Sequence, residues 1–199
     1  MFYKKKKEPT RDQLIERSFG HKDNQSTDIL FLFPPTSIGK DHSHRYGKKD
    51  LGELKGDLIP LGIASLAAYL RKYKFCVAAL DCIALELSHK EIVEIIRRKK
   101  PRSIGISATT YALPASSTLA DRLRKEFPNL LIILGGAHAN VAGTHAARTI
   151  NSIDIISYHP EGETVILEIL KKFSNHDFNR MSFLNDIDVM KSIKGIIFK

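Results

Sequence analysis

Leu130-Leu131-Ile132-Ile133-Leu134-Gly135-Gly136-Ala137-His138-Ala139-Asn140 is an apolar run without charge, broken by two glycines and closed by a polar tip. Apolar residues at every position, rather than at alternate ones, describe a strand covered on both faces, as in the middle of a parallel sheet. The glycines mark where the chain leaves that sheet. Without a Cβ at Gly135 or Gly136 the backbone can turn sharply, and a ligand can lie almost against it. A bare strand-to-helix turn accounts equally well for an isolated Gly-Gly pair, so the flanking segments have to choose between the two.

Upstream, Ile29-Leu30-Phe31-Leu32-Phe33 is a second uncharged run, stopped by Pro34-Pro35, since proline cannot donate to a sheet ladder. Residues 36–59 form a long polar loop, of a length that is usually functional or mobile. Pro60 suits the first turn of a helix reaching Lys72, with Leu61, Ala64, Ala68 and Tyr69 at helical spacing. Residues 75–80 read as a strand ending at Asp81. Ser88 and Glu91 make the S-x-x-E capping signature of a helix whose Ile92, Ile95 and Ile96 share a face, and Pro101 ends it. A short strand over 103–107 precedes Ala108-Thr109-Thr110-Tyr111, and Pro114 opens a helix with Leu119, Leu123 and Phe127 on one side. Downstream of the quoted run, a helix from about Asn140 to Ile150, a strand over 153–157 and a helix over 163–173 complete the pattern. Ile166, Ile169, Leu170 and Phe173 are the apolar face of that last helix.

Strict alternation of strand and helix predicts an α/β fold: a doubly wound sandwich with about five parallel strands and helices on both faces. All strands then finish on one edge of the sheet. That edge collects the loops starting at Pro34, Cys82, Ala108, Gly135 and Tyr158, and open α/β sheets bind ligands there. Neither G-x-x-x-x-G-K-[ST] nor G-x-G-x-x-G follows the first strand, which disfavours ordinary nucleotide and dinucleotide folds.

The length, 199 residues, allows one domain with a real core and extensions. We expect a polar, disordered leader over 1–27, the α/β domain over 28–174, and an extension or linker over 175–199. That last segment closes with Ile193-Lys194-Gly195-Ile196-Ile197-Phe198, which reads as one more strand. No apolar run approaches the roughly 20 residues that cross a bilayer and no signal sequence begins the chain, so a cytoplasmic protein without membrane contact is expected. Cys76 and Cys82, the two cysteines, read as buried thiols in or at the end of a strand. The net charge of +9 owes much to Lys4–Lys7 and to Arg97, Arg98, Lys99, Lys100 and Arg102 around a helix end. No aromatic residues are interleaved with these runs, which argues for solvated charge rather than nucleic-acid binding.

The binding edge carries hydroxyls (Ser107, Thr109, Thr110), glycines (Gly135, Gly136, Gly162), histidines (His138, His159) and carboxylates (Glu161, Glu163). Their spacing is not that of a self-contained metal site, and no Ser-His-Asp arrangement is visible. Taken together, residues 28–173 resemble the cobalamin-binding domain at the amino end of cobalamin-dependent radical S-adenosylmethionine enzymes, a flavodoxin-like fold. The resemblance is carried by Pro34-Pro35 after the first strand and by Ile59-Pro60-Leu61-Gly62-Ile63-Ala64-Ser65-Leu66-Ala67-Ala68-Tyr69-Leu70. Gly105-Ile106-Ser107-Ala108-Thr109, Gly135-Gly136-Ala137-His138-Ala139 and Glu161-Gly162-Glu163-Thr164 continue it in the same order.

The resemblance implies cobalamin as cofactor, with its nucleotide tail threaded into the sheet edge and its corrin over the loops. It makes Pro35, Gly62, Ser107, Thr109, Gly135, Gly136, His138, Glu161 and Gly162 the candidate cofactor-binding residues, with no metal ligand or catalytic residue assigned to the chain. A tail bearing a phosphate needs clearance and N–H and O–H donors, which these residue types offer.

Two departures stand out. His159-Pro160 replaces the Arg-Gly or similar pair usual before Glu-Gly-Glu, which stiffens that loop. The C-x-x-x-C-x-x-C motif of the radical domain is absent from the sequence, so an iron–sulfur cluster and S-adenosylmethionine are expected only in a missing domain, partnering this one in cis or in trans. The chain therefore reads as the amino-terminal part of a longer enzyme or the product of a truncated gene, without a complete active site. The histidine that mutase-like cobalamin proteins supply from D-x-H-x-x-G is missing after the first strand. His44-Arg45-Tyr46-Gly47 matches H-x-x-G but lies far along the loop, with Asp41 one residue too far upstream. The competing reading is a flavodoxin-like regulatory or interaction domain that has lost its ligand.

Overall fold

The computed structural model describes residues 8–19, 26–35 and 60–199. The loop over 36–59, with His42 and His44, and the Lys4–Lys7 run lie outside the described residues.

Among the described residues five strands are parallel: β1 (Ile29–Phe33), β2 (Val77–Asp81), β3 (Ser103–Ser107), β4 (Leu131–Gly135) and β5 (Ile155–Ser157). A sixth, β6 (Ile196–Phe198), joins β5 antiparallel, and the order is β2-β1-β3-β4-β5-β6. The parallel part has the flavodoxin-like order, reversing direction between β1 and β3. Its α/β class and five parallel strands are those expected from the sequence, and β6 is the antiparallel addition.

Both faces of the strands are buried, which is why they read as unbroken apolar runs. On one face Leu30, Leu32, Ile104, Ile106, Ile132 and Leu134 meet α1 (Arg11–Phe19), α3 (His89–Lys99), α4 (Leu113–Glu126) and α5 (Ala137–Thr149). On the other, Ile29, Phe31, Leu131, Ile133 and Ile155 meet α2 (Leu61–Lys72), α6 (Gly162–Asn175), α7 (Arg180–Asn185) and α8 (Ile187–Ser192). In β3, Gly105 gives way to the Phe31 ring, whose edge would lie 2.6 Å from a Cβ there.

Several boundaries and faces differ from the sequence reading. The leader contains α1, whose Ile15 and Phe19 are buried and whose Glu16 pairs with Arg98 and Lys99. A short polar helix with only two core residues has too weak a periodicity to stand out. Helix α2 buries Ile63, Ala67 and Leu70, not Leu61, Ala64 and Ala68; Leu61 is 74% exposed. The bulkier stripe faces the sheet because it removes more apolar surface from water. Helix α5 starts at Ala137 rather than Asn140 and is kinked at Ala142 (φ −137°, ψ 32°). Cys76 lies just before β2 rather than in it, and Cys82 is buried, its thiol pushed upward chiefly by desolvation.

The segment after α6 is folded onto the domain. Asn179 and Asp186 cap α7 and α8, and Phe183, Leu184, Met190 and Ile193 enter the core beside Phe173. Asp154, nearly buried at the foot of β5, accepts from Arg124 (2.6 Å), from Arg180 (2.6 and 3.0 Å) and from the Ile132 amide (2.8 Å). Much of the basic cluster is paired as well: Arg97 with Glu94 and Glu126, Arg102 with Asp28.

Candidate functional site

At the edge where the parallel strands end, a pocket of about 220 Å³ opens between α2 and α6. Phe31 and Ile133, with the Gly105–Ile106 main chain between them, form its floor, and Leu66 and Ile166 its apolar sides. Ser107, Asn140, Ser157, His159 and Glu163 supply polar groups around the floor. The pocket thus straddles the β1–β3 reversal, where neighbouring connections leave in opposite directions and cannot cover the sheet.

Backbone takes the place of side chains at its glycines. A Cβ on Gly135 or on Gly62 would meet nothing within 4 Å, so both positions are open space. Gly136 differs. At φ +91° it holds the turn into α5, and a Cβ would stand 2.8 Å from the Ala108 nitrogen and 2.9 Å from Ser107 Oγ. The turn is tied down by the Ala108 amide donating to the Gly135 carbonyl (3.0 Å) and the His138 amide to the Ala108 carbonyl (3.1 Å). Gly136 therefore allows β3 and β4 to finish in contact, and Gly135 leaves room above that contact.

Among the described residues three helices begin around the pocket, and none is capped by a side chain: Pro60 precedes α2, Gly136 precedes α5 and Glu161 precedes α6. Away from it, α3, α7 and α8 are capped by Ser88, Asn179 and Asp186, while α4, after Ala112, has no side-chain cap and opens with Pro114 instead. The first amides of an uncapped helix lack intrahelical acceptors, and the dipole adds positive potential there. Such a site suits an anionic oxygen, with the apolar floor available to a flat ring. Among the described residues no three His, Cys, Asp or Glu side chains gather as a metal site.

Of the candidates named from sequence, Gly62, Ser107, Gly135, Gly136 and Gly162 line the pocket. The other four do not. Pro35 is buried at the end of β1. Thr109 is exposed, and its Oγ1 accepts from the Ala112 amide (3.2 Å) at the turn into α4. Glu161 is exposed; its amide donates to His159 Nδ1 (3.1 Å) and its carbonyl accepts from Thr164 Oγ1 (3.1 Å). His138 is 6% exposed, with Nδ1 3.1 Å from Thr110 Oγ1 and Nε2 buried without a partner. Desolvation first, and His145 second, hold its imidazole below the usual histidine range and so keep it neutral.

Asn140 and Ser157 are the lining residues that sequence reasoning did not single out as chemistry. Asn140 sits one helical turn beyond Gly136, a relation visible only once α5 is known to start at Ala137.

Residues 47–169 match the B12 binding domain family. The chain belongs to that family. Among curated proteins, this B12 binding domain is 30% identical over 115 residues to an uncharacterized methyltransferase of Pyrococcus horikoshii, covering 58% of the chain and 25% of that protein. It is 30% identical over 145 residues to an anaerobic magnesium-protoporphyrin IX monomethyl ester cyclase of Synechocystis, covering 70% of the chain and 29% of the cyclase. The same-named cyclase of Cereibacter sphaeroides is 25% identical over 151 residues, covering 73% and 22%. The B12 binding domain thus spans about a quarter of the length of these relatives. No helix among the described residues is long and apolar enough to cross a membrane.

Proposed function

We propose that this chain is the cobalamin-binding module of a cobalamin-dependent radical S-adenosylmethionine enzyme of the cytoplasm, and that it takes the nucleotide tail of the cofactor into the pocket between α2 and α6. The observation that carries the reading is Gly135: a buried central strand ends there on a residue whose missing side chain opens directly into a pocket with an apolar floor. A nucleotide tail has a flat aromatic base, a ribose and a phosphodiester. Phe31, Ile133 and Leu66 suit the base, while Ser107 and the first-turn amides of α2, α5 and α6 that lack a side-chain cap suit the oxygens. His138, neutral and with Nε2 buried, does not line the pocket and supports it from within the turn that follows Gly136. Pro35, Thr109 and Glu161 act on the site by shaping its loops.

When bound, cobalamin supplies cobalt chemistry; this chain's residues hold it, orient it and shield its tail from water. Reductive cleavage of S-adenosylmethionine needs an iron–sulfur cluster on three thiolates, and Cys76 and Cys82 are the only cysteines, so that step belongs to a separate domain.

The test is binding. Hydroxocobalamin added to the purified chain should stay with it through gel filtration as a coloured complex. Gly135→Leu should lose the colour while circular dichroism is unchanged, because the new side chain enters open space and φ is not left-handed there. Retained colour in that variant would move the tail elsewhere. A folded wild-type chain that never binds would favour the ligand-free regulatory domain.

A further inference from the structure

We infer that His159 is the side chain that makes this pocket prefer a tail-bearing corrinoid, by donating from Nε2 to the tail's phosphate; the inference rests on the cobalamin reading above. Among the described residues neither lysine nor arginine lines the pocket, and the one carboxylate that does, Glu163, accepts from Ser65 Oγ at 2.6 Å. Among the described residues, an anionic ligand there meets helix amides, neutral hydroxyls and amides, a single imidazole, and the Glu163 carboxylate already engaged by Ser65.

That imidazole is fixed in two ways. Its Nδ1 accepts the Glu161 amide proton at 3.1 Å, and a nitrogen that accepts carries no proton, so the neutral ring bears its proton on Nε2. Among the described residues Nε2 has no hydrogen-bond partner. The second constraint comes from the approach to β6. Gly195, at φ +78°, runs so close that a Cβ would lie 2.6 Å from His159 Cβ and 3.1 Å from its Cγ. The Tyr158 amide donates to the Gly195 carbonyl at 3.0 Å, holding the two segments together. A donor of set tautomer, backed by main chain and lining a pocket that has no lysine or arginine among the described residues, is preorganised for an anionic oxygen.

The discriminating pair of probes is hydroxocobalamin and dicyanocobinamide, which lacks the nucleotide tail. Equilibrium dialysis of each against wild type, H159A and H159Q reads the affinities from corrin absorbance, with circular dichroism confirming the fold. H159A should weaken cobalamin about tenfold or more, as expected for a lost hydrogen bond to a charged group. Cobinamide binding should be unchanged, and H159Q should recover part of the cobalamin affinity through its side-chain N–H. Unchanged cobalamin binding in H159A would overturn the inference and leave the cobalamin reading standing. Equal losses for both probes, or a wild type without preference between them, would also overturn it, since the histidine would then act on something other than the tail. A wild type that binds neither probe would remove the underlying reading itself.

Discussion

Gly135 and Gly136 are neighbours with opposite reasons for lacking a side chain. At Gly135 a Cβ would find open space; at Gly136 it would collide with the Ala108 backbone in a left-handed conformation. Gly136→Ala combines backbone strain with overpacking, each worth about 1–3 kcal/mol, and should lower stability by roughly 2–5 kcal/mol in denaturant unfolding. A loss below about 1 kcal/mol would show that the turn relaxes cheaply. The sequence marked both positions because glycine after an apolar run signals a turn or a close approach. It could not divide them, because the atoms that decide, Ala108 and Ser107, lie almost thirty residues away in the chain. Asp154 was invisible for the same reason: its arginine partners come from α4 and α7, and a lone acid before a strand advertises neither. His159 was visible as a binding-edge residue, but its fixed tautomer depends on the Glu161 amide and its backing on Gly195.

Elements differ in how much of their origin is local. Helix α3 was readable because Ser88 and Glu91 satisfy each other's backbone amides, a reciprocal cap written within four residues; the Ser88 hydroxyl is the main reason the Glu91 carboxyl is pushed down to about 2. Helices α7 and α8, six residues each, carry local caps at Asn179 and Asp186 but are too short to show an apolar period, so their docking beside α6 was not readable. One contact in that docking titrates. His176 Nδ1 lies 2.7 Å from the Lys172 carbonyl and Nε2 3.2 Å from an Asp186 carboxylate oxygen, so both ring nitrogens face acceptors and the imidazolium satisfies both. The Lys172 carbonyl first, then Asp186, with Asp177 also near, raise its pKa above the ordinary 6.5. The fold therefore favours the protonated ring. Its contribution is complete below about 6.5 and is lost as pH rises through the folded-state value above it. His89 and His138, held low mainly by burial, act oppositely and lose stability as pH falls. Subtracting the stability–pH profile of His176→Gln from that of wild type isolates the clasp: the difference should shrink as pH rises past the ordinary 6.5. A difference independent of pH would mean that His176 contributes only packing, as its ring against Phe183 could.

At the scale of the whole molecule, the question is whether 175–199 is a linker or part of the domain. Its composition, polar with scattered apolar residues, reads as a linker because the apolar positions serve three short elements rather than one periodic face. In the structure they complete the core on the α2–α6 side: Phe183 stacks near Phe173, Met190 and Ile193 are buried, and Arg180 supplies half of the charge around Asp154. Burying Phe183, Leu184, Met190 and Ile193 is worth of order 6–12 kcal/mol before ordering entropy is set against it. That matches the whole net stability of a typical domain. The same segment places β6 beside β5 and Gly195 behind His159, so the wall of the pocket depends on it. A chain ending at Asn175 should therefore lose its cooperative thermal transition, expose its core to hydrophobic dyes and bind hydroxocobalamin far more weakly than the full chain. If the shortened chain instead melts as sharply and at the same temperature, 175–199 is a separable linker, and the α/β domain ends with α6. Should it melt sharply but lose cobalamin, the segment serves the pocket more than the core. The Gly195–His159 contact is then the first place to look for the cause.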